Sequence, residues 1–285
     1  DTEKAKGRVV EVNWRAVHLE TGSGLRIIPN SVLAGEQFYN LSRPAGQHAT
    51  RVTSVFALED RPDRVCDMLV RIAAQLPECH PDLSPVAVPL GNLKYRTKIP
   101  LLSAGDDGTA EATFLRWIWY AARREGLHLD EAEDDFTDPV LLAKGLHDIV
   151  APILRLSADQ VRAITAYATI ERYGAGELMQ AVGTVPDAVS FIISGEVVLT
   201  AVAEDGSRTV ANTLEEGSFL GQSTLIRHPV PGSTFAVDEV TVIRIEREGI
   251  EPVVQRNPAL LQEFGRSIDE RRAEVARVIA KNEGP

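Results

Sequence analysis

Apolar and polar residues alternate in VVEVN at 9–13, AVHLET at 16–21 and LRII at 25–28, with the turn GSG at 22–24 between the last two. A period of two broken by Gly-containing turns predicts short strands in a small twisted sheet or barrel, too small to stand alone comfortably. From residue 50 the pattern changes. TRVTSVFAL at 50–58 reads as a strand, and residues 62–76 place Val65, Leu69, Ile72, Ala73 and Leu76 on one stripe at helical spacing. SPVAVPL at 84–90 and LKYRTKIPLL at 93–102 read as strands, and 111–126 as a second helix opened by the acidic turn GDDG. The order β-α-β-β-α predicts an α+β sandwich with helices on one face of a sheet.

Six carboxylates fall in the nine residues 130–138, without the Gly-anchored spacing of a calcium loop, and are read as a solvated linker. Helical periodicity returns over 139–169, with Ser157 as N-cap ahead of ADQVRAITAYA. Strands and Gly turns fill 170–246, and helix is expected again over 258–280.

Composition narrows what these elements do. With 285 residues the chain has room for two or three domains, and 44% hydrophobic with 25% charged residues is the balance of an ordinary folded protein. A formal charge of -11 argues against nucleic-acid partners, because neutralising phosphates takes a Lys/Arg patch. Cys66 and Cys79 form no CxxC and have no His-rich neighbourhood, so neither a disulfide framework nor a metal site is expected, and a reducing, cytoplasmic setting fits. No apolar run approaches the roughly 18 residues of a membrane span, so the chain as given is expected to be soluble, although its abrupt start suggests that something precedes it. No nucleophile elbow, P-loop, HExxH or placed GxGxxG occurs, and His18, His48, His128, His147 and His228 are scattered; no enzyme is expected.

Gly7, the WR pair at 14–15, PNS at 29–31 and the segment from Asn40 to Arg43 resemble the core of small-conductance mechanosensitive channels, the MscS family, over residues 7 to about 126. That resemblance implies a five-stranded β domain below a pore, an α/β domain walling a cytoplasmic chamber, and assembly as a homo-heptamer. It also implies transmembrane helices ahead of Asp1, in a bacterial inner membrane. The residues themselves have plain structural roles. Pro29 ends a strand, Asn30 and Ser31 satisfy backbone donors at a turn, Trp14 is a core or inter-subunit anchor, and Arg15 and Arg43 pair with carboxylates.

YGAGELM at 173–179 and AVSFIISGEVVLTAVAEDG at 188–206 are similar to the cyclic-nucleotide-binding fold, with Asp205-Gly206 as a hairpin turn. In that family a Phe-Gly-Glu triplet opens a short helix and an Arg-Thr-Ala or Arg-Ser-Ala segment closes it. Backbone N–H groups and the Arg hold the cyclic phosphate, and the Glu accepts from the ribose hydroxyl. Here the triplet is Leu220, Gly221, Gln222, followed by Ser223 and Thr224, with Leu225 and Ile226 as apolar anchor. Counting back from Ala236 past Thr234 and Ser233, the Arg position falls on Val230 and its successor on Pro231; Arg227 is the candidate to swing in, against the stiffening of PVPG. A charged hydrogen bond contributes about 1.5 to 3 kcal/mol, so its loss weakens binding roughly 10-fold to 100-fold. The resemblance therefore implies cAMP or cGMP bound weakly, a different ligand, or a degenerate site. The last helix corresponds to the family's lid, with Ile268, Val275 and Ile279 as a stripe flanked by Arg271, Arg272 and Arg277, or else simply packs on its barrel or a neighbour.

The fold expected is multidomain α+β: a small all-β domain at 1–46, a ferredoxin-like α/β sandwich at 47–128, an acidic linker at 129–138, and a cyclic-nucleotide-binding β-roll (jelly roll) with flanking helices at 139–285. The function expected is the cytoplasmic region of a mechanosensitive-type channel whose sensor domain modulates gating. The alternative is a soluble cyclic-nucleotide-responsive regulator or scaffold. A transcription regulator of that kind places a helix-turn-helix and basic surface after the lid helix.

Overall fold

The computed structural model describes residues 6–41, 43, 48–202 and 208–282. The chain divides into two compact units, 1–118 with 128–132 and 119–127 with 133–285.

In the first unit the alternating segments become β1 (Arg8–Val12), β2 (Ala16–Thr21) and β3 (Gly24–Pro29), an antiparallel meander in that order. Among the described residues three strands stand here where five were implied. Ala16 and Leu19 are buried, whereas Val9, Val12, Leu25 and Ile27 stay exposed. Trp14 is 83% exposed, which removes the core reading for it, and Arg15 lies over its ring at 4.7 Å, with no ion pair to a carboxylate among the described residues. The turn donors are satisfied by Asn13, whose Oδ1 accepts from the N–H groups of Arg15 and Ala16 at 3.0 and 2.9 Å. Asn30 instead opens the short α1 (Asn30–Leu33) and donates to the Asn13 carbonyl at 3.0 Å.

β4 (Ala49–Val55), α2 (Pro62–Ala74), β5 (Val86–Gly91), β6 (Lys94–Pro100) and α3 (Asp107–Arg124) follow in the β-α-β-β-α order, with an antiparallel sheet β4-β6-β5. Val65, Leu69, Ile72 and Ala73 are buried as their spacing predicts, and Met68 joins them. Phe114 and Ile118 of α3 and Ile99 of β6 are buried as well. The fourth strand of a ferredoxin-like sheet is not reached among the described residues. The acidic run is more than a solvated linker: Leu129 and Phe136 are buried, Asp135 accepts from the Thr137 N–H at 2.7 Å, and Asp138 caps the next helix.

In the second unit α4 (Pro139–Gly145) runs through a π-helical turn, 146–150, into α5 (Ala151–Leu154), and Ser157 opens α6 (Ala158–Thr165) with a reciprocal capping box to Gln160. Eight strands follow: β7 (Ala168–Tyr173), β8 (Leu178–Gln180), β9 (Ala188–Ser194), β10 (Val197–Val202), β11 (Arg208–Leu214), β12 (Phe219–Leu220), β13 (Ser233–Ala236) and β14 (Val240–Glu246). They form two antiparallel sheets, β11-β10-β13-β8 and β12-β9-β14-β7, the two layers of a β-roll. The Asp205-Gly206 turn lies outside the described residues. α7 (Arg247–Gln255) and α8 (Pro258–Asn282) end the unit. Phe191, Ile243 and Ile245 pack against Leu146, Leu154, Ile250, Leu260 and Phe264, so one apolar cluster ties the sheet to its flanking helices. Among the described residues no helix is long and apolar enough to cross a membrane.

Candidate functional site

The cradle starts where β12 leaves β9. Phe219 and Leu220 pair with Phe191 and Ser190, and Leu220 is buried in the core between the sheets. At Gly221 the chain turns with φ +78°, and a Cβ there would fall 2.3 Å from the Ala188 carbonyl oxygen. Both the left-handed backbone and the close approach require glycine. Gln222–Ile226 then form a short 3-10 segment, ended by Arg227 in the left-handed region at φ 50°. The chain returns through Val230, whose N–H donates to the Thr184 carbonyl at 2.9 Å while its own carbonyl accepts from Gly183 at 3.0 Å. It enters β13, whose Ser233 and Thr234 sit opposite Thr200 and Leu199.

Gly221, Gln222, Ser223, Val230 and Thr234 come together around one small cavity. Its volume is about 20 Å³, with Ile268 and Arg271 of α8 completing the wall. Small-molecule sites usually measure roughly 300 to 1,000 Å³, so with α8 in this position the cradle is closed. Three buried hydroxyls in the segment, on Ser223, Thr224 and Thr234, have no hydrogen-bond partner. Leaving such groups unpaired is unfavourable in a folded interior. Ser233 is satisfied differently, its hydroxyl accepting from the Val182 N–H at 3.0 Å.

Arg227 does not enter the cradle cavity. It is exposed and, with Thr224, lines an open groove of about 710 Å³ beside Asp187, Arg244 and Arg247. This groove is far roomier than the cradle cavity, yet its arginines are mostly committed: Arg244 pairs with Asp187 at 2.8 Å and Arg247 with Glu251 at 2.9 Å.

The guanidinium in the cradle comes instead from Arg271, expected only on the flank of the lid stripe. Its Nη1 donates to Oε1 of Gln222 at 2.9 Å, and its Nη2 donates to the Phe219 carbonyl oxygen. Gln222, 3% exposed, also donates to the Ser267 hydroxyl at 3.3 Å, so both ends of its amide are held by α8. Burial pushes the Arg271 guanidinium down to about 10, opposed only in part by Glu274. The signal that finds this residue is its spacing, since positions 268, 271 and 275 are i, i+3 and i+7 on one helical face. Among the described residues no group of three His, Cys, Asp or Glu side chains is placed to hold a metal ion.

Residues 170–257 match the family model of the cyclic nucleotide-binding domain, and residues 1–43 match that of the mechanosensitive ion channel beta-domain. No curated protein matches the chain. Solved structures similar to it include the catabolite activator protein of Thermus thermophilus, at 22% identity and a TM-score of 0.36 over 45% of this chain and 60% of that one. The sensor domain of the transcriptional regulator DNR from Pseudomonas aeruginosa is 16% identical, with a TM-score of 0.39 over 46% of this chain and 89% of that one. A cyclic nucleotide-binding domain from Methylobacillus flagellatus is 16% identical, with a TM-score of 0.40 over 50% of this chain and 87% of that one.

Proposed function

We propose that the chain is the cytoplasmic region of a bacterial mechanosensitive-type ion channel, in which the β-roll of the second unit biases a gate formed by membrane helices upstream of Asp1. One observation carries this reading: a match to a mechanosensitive-channel β domain and a match to a cyclic nucleotide-binding domain follow one another on a single chain. The exposed Val9, Val12, Leu25 and Ile27 of β1 and β3 agree with a sheet that packs against other copies, as a heptameric chamber requires. In this reading the three-stranded β4-β6-β5 layer is the incomplete core of a ferredoxin-like wall domain. The protein has no enzymatic step. Its sensor takes cAMP or cGMP weakly, for want of an arginine at Val230 and a glutamate at Gln222. A ligand of this kind shifts a gate only by the difference in its affinity for the two gate states.

Patch recording from membranes carrying the full-length gene product tests this. The expected result is a pressure-activated conductance whose threshold shifts when residues 139–285 are deleted. A full-length product that stays in the soluble fraction, or shows no conductance, overturns the channel reading and leaves the soluble regulator.

A further inference from the structure

Arg271 occupies the cradle in the manner of a ligand. It takes the Gln222 Oε1 at 2.9 Å, where the family's Glu would receive a ribose hydroxyl, and the Phe219 carbonyl, and its guanidinium sits 6.0 Å from the centre of the Phe219 ring. The helix that carries it is fastened on either side. Phe264 stacks on Phe219 with centroids 4.9 Å apart, Ile268 lines the residual cavity, Val275 packs with Leu199 and Ala201, and Asn212 donates to Glu274 at 2.8 Å.

The chemistry of the cradle suits this occupant. An arginine at position 230 would repel a second guanidinium a short distance away, but Val230 is uncharged and buried. What the cradle offers the lid is a carbonyl and a neutral amide oxygen, acceptors that a cation can use. A cradle without a cation on its loop can thus take one from the lid. We propose that the resident ligand of the cradle is the Arg271 side chain of this same chain, so that α8 closes over the β-roll with no nucleotide bound. The proposal rests on the site reading above, and a nucleotide has to displace Arg271 before it can bind.

Amide hydrogen exchange on the full chain, with and without cAMP, tests this in wild type, Arg271→Gln, Gln222→Ala and the double variant. In wild type the amides of residues 264 to 279 are slow without nucleotide, and Arg271→Gln speeds them about 10-fold to 100-fold, as loss of a charge-assisted bond predicts. β9 and β14 keep their protection, which shows that the β-roll stays folded; if they do not, Arg271→Lys, with the charge but not the fork, carries the same comparison. Because Gln222 and Arg271 act through each other, the double variant adds little to Arg271→Gln. Where cAMP binds, Arg271→Gln tightens it by the same factor that it opens the lid. Unchanged exchange over α8 in Arg271→Gln overturns the proposal, and so does weaker cAMP binding, which would make the arginine a clamp for the nucleotide. If cAMP binds to neither protein while α8 loosens in the variant, the internal ligand stands and the nucleotide is removed from the proposed function.

Discussion

Arg124, in the last turn of α3, forms an ion pair with the carboxylate of Glu177, which is 0% exposed. The same arginine donates to the Arg172 carbonyl at 2.6 Å, and Glu177 Oε2 accepts from the Gly174 N–H at 2.9 Å. Burial works to lower the Arg124 pKa, but Glu177, with Tyr173 and Glu171 beside it, outweighs burial, so the guanidinium is held above its ordinary value. Removing the guanidinium leaves the Glu177 carboxylate buried without its arginine. Arg124→Met is expected to cost the second unit about 3 to 5 kcal/mol in urea unfolding. A loss below about 1 kcal/mol would mean that the pair behaves as a solvated one.

Gly221→Ala tests the turn that aims the cradle. The new methyl would meet the Ala188 carbonyl oxygen at 2.3 Å, on a backbone at φ +78°. Neither constraint can relax without moving β9 or unpairing β12. A loss of about 1 to 3 kcal/mol is expected from the strained backbone alone, visible as a lower melting temperature. A variant with wild-type melting would show that the β12 turn tolerates a side chain.

How the fold and the cradle could be read in the sequence depends on which signal each residue carries. The α2 stripe is legible because Val65, Leu69, Ile72 and Ala73 repeat at the helical period and nothing competes with it. Gly221 is legible as a turn because only glycine suits it. Arg271 misleads because charge argues for the outside of a helix, while its place between Ile268 and Val275 argues for the inside, and burial with hydrogen-bonding acceptors decides for the second. Trp14 misleads in the opposite direction: size and apolarity predict burial, but a three-stranded meander has too little depth to cover it. Long-range acceptors such as Glu239 for Tyr120 leave no local trace in sequence at all.

Tyr120 gives the second unit an alkaline limit. Burial first, and then the hydrogen bond from its hydroxyl to Glu239 Oε2 at 2.7 Å, push the phenol up to about 12. Its folded pKa thus stands above the ordinary value near 10, so its contribution is complete below about pH 10 and lost as pH rises through about 12. Burial raises Tyr173 as well and adds to the same loss, whereas Arg271, lowered to about 10, acts with the opposite sign. Comparing urea midpoints of wild type and Tyr120→Phe across this range isolates the Tyr120 share, expected at about 1 to 2 kcal/mol because the ring is partly exposed. Equal pH slopes for the two proteins would contradict it.

Gln222→Glu separates a cradle built for its own arginine from one awaiting a nucleotide. If the cradle merely lacked a ribose acceptor, the substitution would improve ligand binding and leave the unliganded protein unchanged or less stable. In the arrangement seen, Oε1 of residue 222 lies 2.9 Å from a buried guanidinium that burial has weakened and no carboxylate contacts among the described hydrogen bonds. A carboxylate there would turn a neutral acceptor into an ion pair and raise the Arg271 pKa. The expected outcome is a domain more stable by about 1.5 kcal/mol at neutral pH, with slower exchange over α8; the firmer hold on Arg271 offsets the better ribose acceptor, so cAMP affinity does not rise. The new carboxyl would titrate below its ordinary value near 4.3, so the gain should be present above that pH and vanish as pH falls through the lowered value. A less stable variant with a looser α8 would show that desolvating the carboxylate outweighs its attraction to Arg271.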